Sequence, residues 1–165
     1  MKNFLQLLFL SFLLLSSSII SQTIKTPEEF LGYKVGADYK IADYKTITEY
    51  FKHLSENSGK IKFEIIGKTS LGKDMFMAIL SSEQNIIDLE KYRSIIKQLS
   101  DPRKLTDEKA KLLTREGKVV VLVTCNIHST EIASAQMSME FAYNLVSGNA
   151  SAKSLKALND VIFIL

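Results

Sequence analysis

The spacing of hydrophobic residues changes several times along the chain, and each change marks an element. Phe4 to Leu15 is rich in Leu and Phe, follows Lys2, and leads into Ser16, Ser17, Ser18 and Ser21. A charged start, a short apolar run and a small-residue exit form the pattern of a secretory signal peptide. Gln6 and Ser11 interrupt the run, which falls short of the ~20 apolar residues that a bilayer span requires. Residues 1–21 are therefore expected to be cleaved after Ser21, an uncleaved anchor being the alternative. The expected mature protein is secreted or periplasmic, with no stable membrane association.

Residues 22–42 hold Pro27, Gly32 and Gly36 among aromatic and charged residues without a period, and read as a lead-in segment. From Asp43 the pattern becomes helical. Tyr44, Ile47, Phe51 and Leu54 share one stripe, Asp43 is the expected N-cap and Gly59 the stop. His53, beside Lys52 in this charged helix, reads as exposed. Ile61 to Gly67 alternates as a strand, and a second strand spans about 74–81. The tight connection between them, Lys68 to Gly72, predicts a hairpin.

Residues 83–117 predict two further helices. Leu89, Tyr92, Ile96 and Leu99 mark the first, ended by Pro102, and Thr106 caps a second that stops at Gly117. Val119 to Thr124 is continuously apolar, which predicts a strand covered on both faces at the centre of a mostly parallel sheet. A helix over about 130–146 and a shorter one over about 152–158 follow, and Val161 to Leu165 opens another buried strand. Apolar strands alternating with helices predict an α/β fold, a three-layer α/β/α sandwich with a mixed sheet. Since the sequence stops inside a strand, 43–165 is expected to be the N-terminal part of a larger domain, truncated at the C-terminus, with a helical insertion at 83–117.

Composition narrows the function. With 46% hydrophobic and 24% charged residues, the chain is globular rather than disordered. A net charge of +3 without a basic cluster argues against nucleic acid. Cys125 is the single cysteine, so a disulfide scaffold is excluded, and in an oxidising compartment it reads as buried strand-end packing. The two histidines, His53 and His128, leave any multi-histidine metal site incomplete.

Chemistry concentrates where the apolar strand runs into Cys125-Asn126-Ile127-His128-Ser129-Thr130-Glu131. In open α/β sheets, ligands bind beyond the carboxyl ends of strands. A spacing of three puts His128 and Glu131 on one side of a helical turn, and zinc accepts both donor types at ~2.0–2.2 Å. A helix start there favours the ionised carboxylate of Glu131. Spacing alone leaves a plainer alternative open, a surface Glu131 at a helix N-terminus beside a hydrogen-bonded loop histidine.

Other motifs fail. H-E-x-x-H is absent, and H-x-x-E-H is broken by Ile132. Cys125 and His128 as a structural zinc pair lack further ligands. Gly67-Lys68-Thr69 is no phosphate loop, because Lys62 replaces the first glycine and a strand follows. Ser-x-x-Lys occurs twice, at Ser70/Lys73 and Ser94/Lys97, which shows how readily it arises.

Three blocks in order, TPEEFLGYKVGADYKIADY, GKTSLGKDMFMAILSS and KVVVLVTCNIHSTEIASAQ, resemble the opening, the hairpin and the strand with H-x-x-E of one family. This is the zinc carboxypeptidase-like metallopeptidase family (the carboxypeptidase A-like clan), in a bacterial secreted branch that shares the 83–117 insertion. The resemblance implies a hydrolase that cleaves the bonds of a peptide or protein substrate with one Zn2+ ion. It implies that His128 and Glu131 are the first two zinc ligands. Lys73 falls where many members carry a substrate-binding arginine. The third ligand, a histidine, and the base, a glutamate, are implied beyond Leu165. No catalytic base is therefore expected within these residues, and the chain alone is expected to be inactive. A related zinc amidohydrolase (a deacylase of acylated amino acids) uses the same water attack on an amide and is an alternative. So is a noncatalytic exported binding module.

Overall fold

Side-chain caps start the first two helices of the described residues. The computed structural model describes residues 23–128 and 130–165, so the expected signal segment at 1–21 lies outside the described residues. Thr26 Oγ1 accepts from Glu29 N at 3.1 Å, and the Glu29 carboxylate accepts from Thr26 N at 2.8 Å. This reciprocal box opens α1 (Pro27–Leu31), with Pro27 in its first turn. The helix falls inside the aperiodic lead-in, since five residues are too few to display a period. Asp43 Oδ1 accepts from Thr46 N at 2.7 Å and opens α2 (Tyr44–Asn57), as its pattern predicts.

The hairpin follows as β1 (Ile61–Lys68) and β2 (Asp74–Leu80), antiparallel with Ile61 opposite Leu80. Gly72, at φ 73°, supplies the left-handed residue of the connecting turn, and its amide donates to Thr69 O at 2.9 Å. The insertion folds as α3 (Glu83–Ile87), α4 (Leu89–Ser100), a 3-10 turn at Pro102–Lys104 and α5 (Asp107–Glu116). Then come β3 (Val119–Leu122), α6 (Ala133–Ser147), α7 (Ala152–Ala157) and β4 (Val161–Ile164). The sheet order is β1-β2-β4-β3, with β4 antiparallel to β2 and parallel to β3.

Strand alternation sends side chains into two cores. Ala78 and Leu80 of β2 join Tyr50, Phe51 and Leu54 of α2 and Met139 and Ala142 of α6. Ile79 and the β4 residue Ile162 join Tyr92 and Ile95 of α4 and Leu113 of α5 on the other face. Helices thus cover both faces of a mixed sheet, the expected α/β/α arrangement, and the 83–117 insertion forms the third layer. A buried polar knot fastens it: Asn85 Nδ2 donates to Ser81 Oγ at 2.9 Å and to Leu158 O at 3.0 Å.

Four expectations need correction. First, β3 is neither central nor covered on both faces. Val119 is 62% and Leu122 67% exposed, and among the described residues β3 pairs with β4 alone. Apolar content signals that a strand can be covered but not where it enters the sheet, and β4 has taken the place beside β2. Second, among the described residues only one of the strand pairs, β3 with β4, is parallel. Third, α6 starts at Ala133 rather than near residue 130, because side-chain hydrogen bonds hold the preceding loop out of helical register. Fourth, His53 is not exposed. Its ring lies 5.8 Å from that of Phe30 and 6.2 Å from that of Tyr50, and its Nε2 accepts from Lys25 N at 3.1 Å. The lead-in folding back over α2 covers it.

Candidate metal centre

The loop between β3 and α6 carries the candidate residues. Val123 N donates to Ile164 O at 2.8 Å, one ladder bond beyond β3, and the chain then leaves the sheet. Asn126 turns it with a left-handed φ of 63°. Glu131 N donates to His128 O at 3.0 Å, closing a turn that brings the two side chains to one side. The spacing of three thus works through a loop turn rather than the first turn of α6.

The side chains converge. His128 Nδ1 lies 2.8 Å from Glu131 Oε1. The other oxygen, Oε2, accepts from Ile127 N and His128 N, each at 3.1 Å. The carboxylate is therefore oriented by two backbone amides, with Oε1 left toward the imidazole. The His128 ring hydrogen bond, then the His128 amide, holds the Glu131 carboxyl below its ordinary value, so it is ionised at neutral pH. Both side chains are open to solvent, 73% for His128 and 49% for Glu131, so an ion can reach them.

The donor set fits zinc. Two ligand atoms at ~2.0–2.1 Å from a tetrahedral ion are about 3.3 Å apart. Nδ1 and Oε1, at 2.8 Å, need to open by about 0.5 Å to admit one between them. Among the described residues no third His, Cys, Asp or Glu joins the pair.

The remaining candidates lie elsewhere. Cys125 is half-buried rather than buried, and burial pushes its thiol up, against a smaller opposing effect of a hydrogen bond with Ser138. A thiol held neutral is a poor metal ligand. Lys73 sits exposed at the hairpin turn, its amide donating to Thr69 Oγ1 at 3.1 Å. It lines neither the open recess of about 430 Å³ beside Glu131 nor the apolar hollow of about 660 Å³ under the hairpin. Two residues that sequence reasoning passed over, Asn126 and Ser134, bond to each other across this loop. The one available signal was an Asn after a strand, a residue type that tolerates left-handed backbone.

The family model for zinc carboxypeptidases matches residues 47–165, from α2 through the last strand. The chain belongs to the zinc carboxypeptidase family. The family is one of zinc-dependent metallopeptidases, and the matched span includes the hairpin, the insertion and the His128–Glu131 loop. Comparisons with curated proteins and with solved structures return no match. In this zinc carboxypeptidase fold, the loop after β3 is the place where an imidazole and a carboxylate meet with solvent access.

Proposed function

We propose that the chain supplies two protein ligands to the zinc of a metallocarboxypeptidase-type hydrolase, His128 through Nδ1 and Glu131 through Oε1. The observation that carries this reading is their 2.8 Å approach on the loop that leaves β3. When bound, the ion would supply an open coordination position that lowers the pKa of water to ~7 and polarises a scissile carbonyl. The chain's own part is to hold the donors. The amides of Ile127 and His128 fix the Glu131 carboxylate, and its lowered pKa keeps it charged at neutral pH.

His53 does not complete the set, because its ring is engaged by Lys25 N and Asn57 between two aromatic rings. Two ligands, and no oriented base among the described residues, support the reading that these residues alone do not hydrolyse peptides. Lys73, at the exposed hairpin tip, is proposed to touch substrate only weakly. Export after loss of residues 1–21 and a peptide or protein substrate complete the proposal.

The test is a zinc titration of the chain, H128A and E131Q by calorimetry, with hydrolysis of an acylated dipeptide as a second readout. Each variant should bind at least about tenfold more weakly, and none should hydrolyse. Equal binding in all three removes the ligand assignment, and zinc-dependent hydrolysis by the chain removes the claim of inactivity.

A further inference from the structure

One hydroxyl in the first turn of α6 touches the metal loop just before the ligand pair and at the backbone of Glu131 itself. Ser134 Oγ accepts from Asn126 N at 2.9 Å and hydrogen-bonds Asn126 Oδ1, two residues before His128. The same oxygen lies 3.3 Å from the carbonyl of Glu131. Capping the helix does not account for it. The residue at the N-cap position of α6 is Ile132, and no side chain caps there. The Ser134 hydroxyl is turned toward the loop.

Asn126 has the matching backbone. With Tyr39 it is one of two residues other than glycine at positive φ among the described residues. That region is disfavoured for an L-residue, less so for Asn, whose short side chain can bond locally. The bond to Ser134 is such a local compensation. It closes a ring that runs from Asn126 through the loop to Glu131 and back through the first turn of α6.

We propose that Asn126 and Ser134 are positioning residues for the metal pair, a clasp that holds the loop so that His128 Nδ1 and Glu131 Oε1 converge before any ion arrives. This rests on the reading of His128 and Glu131 as zinc ligands. The physical reason is entropic: two side chains as open as these have rotamer freedom that an ion must otherwise freeze. Ordering the backbone at Asn126 and Glu131 in advance removes part of that cost. Groups that orient first-shell ligands typically change metal affinity 10–100-fold when removed.

The test uses the full chain and has two arms. In the first, zinc is titrated while the His128 imidazole resonances are followed by NMR, against S134A, N126G and the conservative S134T and N126D. N126G keeps the left-handed backbone but loses the Oδ1 bond; S134T keeps a hydroxyl and N126D an acceptor. Expected are midpoints raised about tenfold in S134A and N126G and within about threefold of the parent in S134T and N126D. In the second arm, without metal, amide exchange of Ile127 and His128 is measured; it should quicken in S134A and N126G and recover in the conservative pair.

Midpoints in S134A and N126G equal to the parent overturn the clasp and leave the ligand assignment standing. If S134A fails to fold, N126G against N126D decides by the same criterion. If the His128 resonances ignore zinc, or E131Q binds as the parent does, the ligand assignment falls and the clasp falls with it. The separate exchange result then records only a loop restraint.

Discussion

The Tyr92 hydroxyl donates to Asn85 Oδ1 at 3.1 Å, joining α4 to α3 inside the molecule. On its other side the same amide donates to Ser81 Oγ, to Leu158 O and, at 3.1 Å, to Asn159 O. One buried side chain thus links the inserted helices to the end of β2 and to the approach to β4. Asn85→Ala leaves the Tyr92 hydroxyl without its partner in a closed environment. It also removes the amide's bonds to Ser81, Leu158 and Asn159, although the Leu158 carbonyl still accepts from Ser81 Oγ and Ser82 N. The expected loss is about 2–3 kcal/mol of unfolding free energy. Urea unfolding checks it, and a change under about 0.5 kcal/mol, typical of a surface site, refutes the role.

Tyr50 carries the chain's clearest alkaline liability. Its ring is buried, and its hydroxyl donates to Lys25 O at 3.0 Å. Burial pushes its pKa far above the ordinary tyrosine value of 10, so the folded state keeps the phenol neutral. The unfolded state releases that proton first, so the stabilisation is complete below 10 and declines as pH climbs through the ordinary value toward the folded one. Unfolding free energy should therefore drop between neutral pH and pH ~11 in the parent, and drop less steeply in Y50F. Parallel curves for the two proteins would remove Tyr50 as the cause.

Glu131 behaves in the opposite sense. The hydrogen bond with His128 lowers its pKa, so its hold on the loop is complete above the ordinary glutamate value of 4.5 and is lost as pH falls through the lower folded value. The amide shifts of Ile127 and His128 should titrate with a midpoint below 4.5, and E131Q should flatten both curves. A midpoint above 4.5 would show that the carboxylate is not held as described.

Phe51 anchors the first core at 1% exposure, while Leu71 at the hairpin turn is 82% exposed. Phe51→Ala should cost about 3–5 kcal/mol through lost burial and the cavity left behind. Leu71→Ala should lie within about 0.5 kcal/mol of the parent. Comparable losses at both positions would contradict the layer assignment.

Local chemistry carries far in this chain. Asp43 and Thr106 open their helices through side-chain caps as their residue types favour, α5 ends at Gly117, and Lys68 to Gly72 makes the turn that its Gly demands. These are contests between a side chain and the nearest backbone amides, settled within a few residues. The short helix α1 follows the same logic through Thr26 and Glu29, but its five residues are too few to show an apolar period, so its caps alone mark it.

The amino-acid order by itself determined which segments are helical or extended and which two donors lie three residues apart. Tertiary structure decided that β4 enters between β2 and β3, that His53 lies under the lead-in, and that Ser134 reaches back to Asn126. Strand order and burial depend on which surfaces compete for the same apolar face, a choice among distant partners that no local pattern encodes. The meeting of His128 and Glu131 belongs to both. Spacing allows it, and the left-handed turn at Asn126 with the two amides on Oε2 brings it about.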